Sequence, residues 1–117
     1  MFRTMNPRDL LPLRPLFLSV LLAVREDPQH GYDVLERVNQ DQGEYAILGP
    51  GSLYRTLKEM RDLGLIERRP MPAGVKDGRR AYHAITDAGR SVLRLEVDRL
   101  QQAMTRAGVG LVPERTA

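Results

Sequence analysis

The 117-residue chain has no cysteine, no tryptophan, only two histidines and no long apolar run. Without cysteine, disulfides, thiolate zinc sites and cysteine nucleophiles are excluded. The longest apolar stretch, residues 16–24, is interrupted by Ser19 and falls short of the roughly 20 residues that span a membrane. No small-residue cleavage site lies at a suitable distance behind it, so a secretory signal is not expected and the chain reads as cytoplasmic. No cluster of acidic residues accompanies His30 or His83, so no metal site is expected. Ser52 has no base nearby and no nucleophile elbow around it. The Gly-Pro-Gly at 49–51 lacks the spacing and the Lys-Ser/Thr ending of a nucleotide phosphate loop. An enzyme is therefore not expected, and no cofactor.

What remains is a chain of one-domain size with 42% hydrophobic residues and a formal net charge of +3. Only Lys58 and Lys76 are lysine among its eighteen basic residues. The arginine fork suits bidentate contact with phosphate or guanine, although a codon bias produces the same ratio. An excess of +3 is modest, so its distribution decides what it means.

Residues 1–14, with Pro7, Pro12 and three Arg, read as a loose N-terminal arm with a short turn near 8–11. A broad apolar stripe of Leu16, Phe17, Val20, Leu21 and Val24 predicts a largely buried first helix from Pro15. A second helix is expected over about 31–40, burying Val34, Leu35 and Val38. Residues 45–48 read as a short strand or extended turn. The third helix starts near Pro50 and stops at Gly64, a common C-terminal glycine. Residues 65–69 and 80–85 form the strands of a hairpin turning at Asp77-Gly78. Pro70 and Pro72 place that hairpin at a sheet edge. Thr86 is the expected N-cap of a last helix that runs to about Ala107, and 108–117 is a mobile tail.

The third helix separates cleanly into faces at 100° per residue. Leu53, Leu57 and Met60 share one side, while Gly51, Arg55, Lys58 and Asp62 lie opposite, with Tyr54 and Arg61 on a flank. An ordinary surface helix has the same form. Its start, Gly49-Pro50-Gly51, presents backbone amides suited to a phosphate. The hairpin that follows holds Arg68, Arg69, Lys76, Arg79 and Arg80 against Asp77 alone. Five against one leaves +4, more than the whole chain's +3, so the positive field belongs to this wing. A helix for a DNA groove followed by a basic wing predicts a winged helix-turn-helix. In the last helix, Leu93, Val97, Leu100, Met104 and Ala107 repeat at alternating spacings of four and three, as in a coiled-coil seam. A second protomer is the expected partner, and a helix folded back over its own core is the alternative.

Three strings, HGYDVL at 30–35, GPGSLYRTLKEMRDLGLIE at 49–67 and GRRAYHAITDAGR at 78–90, resemble the PadR-type transcriptional regulators. The resemblance spans about residues 15–107. It implies a homodimeric bacterial repressor that binds a palindromic operator and releases it on a ligand or signal. It also implies DNA contacts from Ser52, Tyr54 and Arg55, and less directly from Arg79 and Arg80, with Tyr32 packing or touching phosphate. The family often has Ser or Thr at Gly49, so this helix rests on Pro50 for its start. It often has Tyr at His83, and the histidine introduces a group that titrates near neutral pH in its ordinary state. Some members hold flat aromatic drugs between tryptophans at the dimer interface. This chain has no Trp, so that pocket is not expected.

The expected fold is thus mainly α with a small β-wing, an α+β winged helix-turn-helix domain over 15–86. The arm at 1–14 precedes it, and a dimerisation helix at 87–107 and the tail at 108–117 follow. DNA contacts are assigned to Ser52, Tyr54, Arg55, Lys58, Arg68, Arg69, Lys76, Arg79 and Arg80, and dimer contacts to Leu93, Val97, Leu100 and Met104. The expected partners are a palindromic double-stranded operator, a second copy, and an inducer of unknown identity, with no membrane. The alternative is a protein-docking winged helix, favoured by Glu59 and Asp62 on the exposed face of the third helix.

Overall fold

A computed structural model describes residues 6–42, 49–70 and 82–109. A 3-10 turn, Pro7–Leu10, leads into α1 (Pro15–Val24), β1 (Gln29–His30), α2 (Gly31–Gln42), α3 (Pro50–Asp62), β2 (Ile66–Arg69), β3 (Tyr82–Ile85) and α4 (Asp87–Arg106). The fold is mainly α with a small antiparallel sheet, and α2 is two residues longer than the sequence pattern indicates. Residues 45–48, the Asp77-Gly78 turn and 110–117 lie outside the described residues.

Helix α1 is the central rod. Phe17, Val20, Leu21, Ala23 and Val24 are buried, and they meet Val34 and Val38 of α2 and Leu53, Leu57 and Met60 of α3. The third helix therefore buries the face that its periodicity predicts. It ends as a Schellman motif: Leu65 N–H donates to Met60 O at 2.9 Å and Gly64 N–H to Arg61 O at 2.9 Å. Gly64 sits at φ +79°, where a side chain is strained.

The sheet corrects the two-strand reading. Strand β1 pairs with β3 (Gln29 with His83, His30 with Tyr82), so the order is β1-β3-β2. Only β2, which runs into Pro70, is the edge half of the hairpin; β3 is central. Two residues between Pro28 and the second helix carry no periodicity, which is why β1 left no trace in the pattern.

The N-terminal segment also departs from expectation. Residues 7–14 are not a loose arm: Leu13 is buried, and Leu10 and Leu11 pack on the core. Glu96, buried in the first half of α4, ties this segment down. Its carboxylate takes two hydrogen bonds from Arg99, at 2.7 and 2.8 Å, and a third from the backbone of Leu13. The Arg99 bonds, helped by Leu13 and opposed by burial, hold Glu96 below the usual carboxylate range.

The start of α4 is locked onto the end of α3. Thr86 Oγ1 donates to Gly64 O at 2.6 Å and accepts from Gly89 N at 3.0 Å, while Thr86 N donates to Leu65 O. A Cβ on Gly89 would lie 2.2 Å from Leu65 O and 2.8 Å from Ile85 Cγ1. Only glycine allows that approach.

Candidate nucleic-acid interface

Helix α3 stands with its solvent face open. Arg55 and Lys58 are exposed, Ser52 is half-buried, and Leu53, Leu57 and Met60 are sealed beneath them. Arg55 Nη2 donates to Ser52 Oγ at 3.2 Å, so the two predicted contacts share one surface patch. The helix begins at Gly49 with no side-chain cap, Pro50 lies in the first turn, and a Cβ on Gly49 would meet nothing within 4 Å. The first-turn amides and the positive end of the helix dipole are thereby left for an anion.

The acidic residues of this face are matched by bases. Lys58 Nζ lies 2.9 Å from Asp62. Glu59 pairs with Arg14, whose guanidinium also stacks 4.0 Å above the Phe17 ring centroid. Arg14 and Glu59 are 45 positions apart, and no sequence pattern connects them. With both carboxylates matched, Arg55 is the charge on this face that no acid answers among the described residues.

Tyr54, 53% exposed, lies against the start of α2: a Cβ on Gly31 would come within 3.3 Å of its ring and 3.4 Å of its hydroxyl. The absence of a side chain at Gly31 thus sets how closely the third helix approaches the second. Tyr32, next along, is exposed and stacks on His30 with ring centroids 6.0 Å apart and planes within 7°. On the wing, Arg68 and Arg69 are exposed on β2, and Arg69 bonds Glu67 at 2.9 Å. Lys76, Arg79 and Arg80 lie outside the described residues.

His83 behaves unlike the neutral-range group expected of it. It is 4% exposed in the central strand, and its Nδ1 has no hydrogen-bond partner among the described residues. Burial, then the charges of Arg61, Arg68 and His30, push it down to about 4. It is neutral throughout the physiological range and cannot sense changes there.

Along α4 the side turned to its own domain carries Gly89, Val92 and Glu96. The predicted seam lies roughly 70° round the helix from it. There Val97 is 37% exposed, Leu93, Leu100 and Met104 are half-buried, and Ala107 is exposed. The helix folds against its own core with one face while the seam residues keep part of their surface open.

Among the described residues no group of three metal-ligating side chains occurs, and no helix is long and apolar enough to cross a membrane.

The family model described as the transcriptional regulator PadR-like family matches residues 20–95. Among curated proteins none matches the chain. Of solved structures, the fold is similar to a PadR family transcription regulator from hypervirulent Clostridium difficile R20291. That likeness has 21% identity and a TM-score of 0.65, and covers 80% of this chain and 98% of that one. RosR of H. salinarum is 22% identical with a TM-score of 0.64, over 84% of this chain and 80% of that one. Bacillus subtilis PadR, solved in complex with operator DNA, is 21% identical with a TM-score of 0.61, over 85% of this chain and 62% of that one.

Proposed function

The chain belongs to the PadR-like family of DNA-binding transcriptional regulators and is not an enzyme, and on that premise we propose that it is a dimeric repressor of a nearby operon. In this reading α3 enters the major groove of a palindromic operator. Arg55 reads base edges, and Ser52, Tyr54 and Lys58 support it from the groove wall. Arg68 and Arg69, with Lys76, Arg79 and Arg80, hold flanking phosphates. The seam at Leu93, Val97, Leu100 and Met104 joins two protomers, which sets the paired helices about 34–36 Å apart on successive half-sites. A ligand or signal then releases the complex, in the cytoplasm.

The observation that carries the reading is the charge pattern of the α3 face: Glu59 and Asp62 are matched by Arg14 and Lys58, and Arg55 is opposed by no acid among the described residues. The same pairing removes the main support for a protein-docking module, which relied on those two carboxylates.

The test is duplex binding to the chain's own upstream region, followed against salt. If a dimer neutralises about 8–10 phosphates, the log–log slope is roughly −7 to −9. Binding that stays flat between low and moderate salt, or that is equal on scrambled duplexes, would sink the proposal.

A further inference from the structure

We propose that Arg14 is a positioning residue for the α3 face: it holds Glu59 away from Arg55 and so leaves the Arg55 guanidinium to the duplex. The benefit to the duplex rests on the DNA reading above, whereas the choice of partners among the three side chains does not.

Arg55 and Glu59 are four positions apart on α3, the spacing at which opposite charges meet on one helix face. On the neighbouring ridge, Lys58 and Asp62 have the same spacing and the same polarity, base before acid. Their ion pair closes at 2.9 Å, so that polarity is no barrier to pairing on this helix. Glu59 nevertheless bonds Arg14, and Arg55 turns back to Ser52 Oγ at 3.2 Å. The pair that the helix alone would make gives way to one that joins segments 45 positions apart.

Arg14 wins this competition because its backbone and stem are already placed. It precedes Pro15 in extended conformation, at φ −60° and ψ 139°. Leu13 before it is buried, and the Leu13 backbone bonds the Glu96 carboxylate of α4. The Arg14 guanidinium lies 4.0 Å from the Phe17 ring centroid. A side chain held in this way loses less freedom on pairing than a free one. Arg55 is exposed, and among the described residues its side chain bonds Ser52 alone. Without Arg14, Glu59 would face the phosphates unmatched and draw Arg55 toward itself. Both losses would fall on the residue assigned to base edges.

The experiment makes Arg14→Ala, Glu59→Gln and the double variant in the full chain and reads each in two ways. Without DNA, the Arg55 Nε–H resonance reports the partner of that guanidinium by NMR. It is expected to shift in Arg14→Ala and to return toward the parent position when Glu59→Gln is added. With the duplex of the chain's upstream region, Arg14→Ala should weaken binding roughly threefold to fivefold and narrow the margin over a scrambled duplex. In the Glu59→Gln background the same change should cost less than about twofold. Both positions are exposed, so the urea midpoint is expected to hold in every variant. An Arg55 resonance that stays put in Arg14→Ala would overturn the role. So would a binding loss that persists in the Glu59→Gln background, which would make Arg14 a DNA contact or a purely structural residue. A parent chain that binds no duplex would overturn the DNA reading and the use of Arg55 in it, while the resonance still decides which base Glu59 holds.

Discussion

Helix α3 begins at Gly49 without a side-chain cap, whereas α4 begins at Thr86, whose hydroxyl both caps Gly89 and reaches back to Gly64. The two helices share an amphipathic plan and differ in what is done with their polar groups. On α4 the start is satisfied internally, a carboxylate is buried against Arg99, and backbone approaches backbone through Gly89. On α3 the first-turn amides stay open, and its ion pairs lie in solvent, where each contributes about 0–1 kcal/mol. The comparison teaches a division of labour: satisfied polar groups hold the domain together at α4, whereas α3 starts without a side-chain cap and carries its ion pairs at the surface.

The largest expected effect falls on the locked side. Gly89→Ala drives a Cβ into Leu65 O and should cost about 3 kcal/mol or more of unfolding free energy. A urea midpoint unchanged by this substitution would show that the α3–α4 junction is looser than described.

Next is His83, beneath the wing. Between about pH 6.5 and 4 the unfolded chain carries a proton on this side chain that the folded chain refuses. Stability contributed by the neutral form is complete above 6.5 and falls as pH drops through that window, by at most about 3 kcal/mol. His83→Gln should flatten the pH dependence of thermal unfolding there. The Glu96 contribution is lost lower, as pH falls through its depressed pKa, so the two are separable. An unaltered profile in the variant would mean that the imidazole is solvated.

On the open side, Arg55→Ala should cost about 1–3 kcal/mol on the preferred operator and relax sequence preference, while Arg79→Ala weakens all duplexes alike. Neither should move the urea midpoint by more than about 0.5 kcal/mol. Equal losses on every sequence from both variants would contradict the assigned roles.

The smallest effects compare the caps directly. Thr86→Ala should destabilise by about 1 kcal/mol, and Gly49→Ser should stabilise by only a few tenths. Similar magnitudes at both ends would erase the distinction between them.

Much of this was legible in sequence because it is local. The 100° wheel separates Leu53, Leu57 and Met60 from Arg55 and Lys58, Gly64 marks a helix end, and Thr86 marks a helix start. The hairpin strands β2 and β3 follow from the residue pattern and Pro70. The Arg14–Glu59 pair, the β1–β3 pairing and the seating of Glu96 on Leu13 join residues far apart in the chain. No periodicity encodes such contacts, since only the packing of α1 against α3 and α4 brings them together.

His83 shows the limit most plainly. As a residue type it titrates near neutrality, and nothing beside it in sequence argues otherwise. Its placement in a central strand, near Arg61 and Arg68, lowers it to about 4. The sequence by itself determined the order of the four helices and the hairpin strands, the faces of the third helix and the family. Tertiary structure alone decided which charges are matched and which polar groups are buried. Those properties depend on dielectric and distance, and both are set only when separate segments pack.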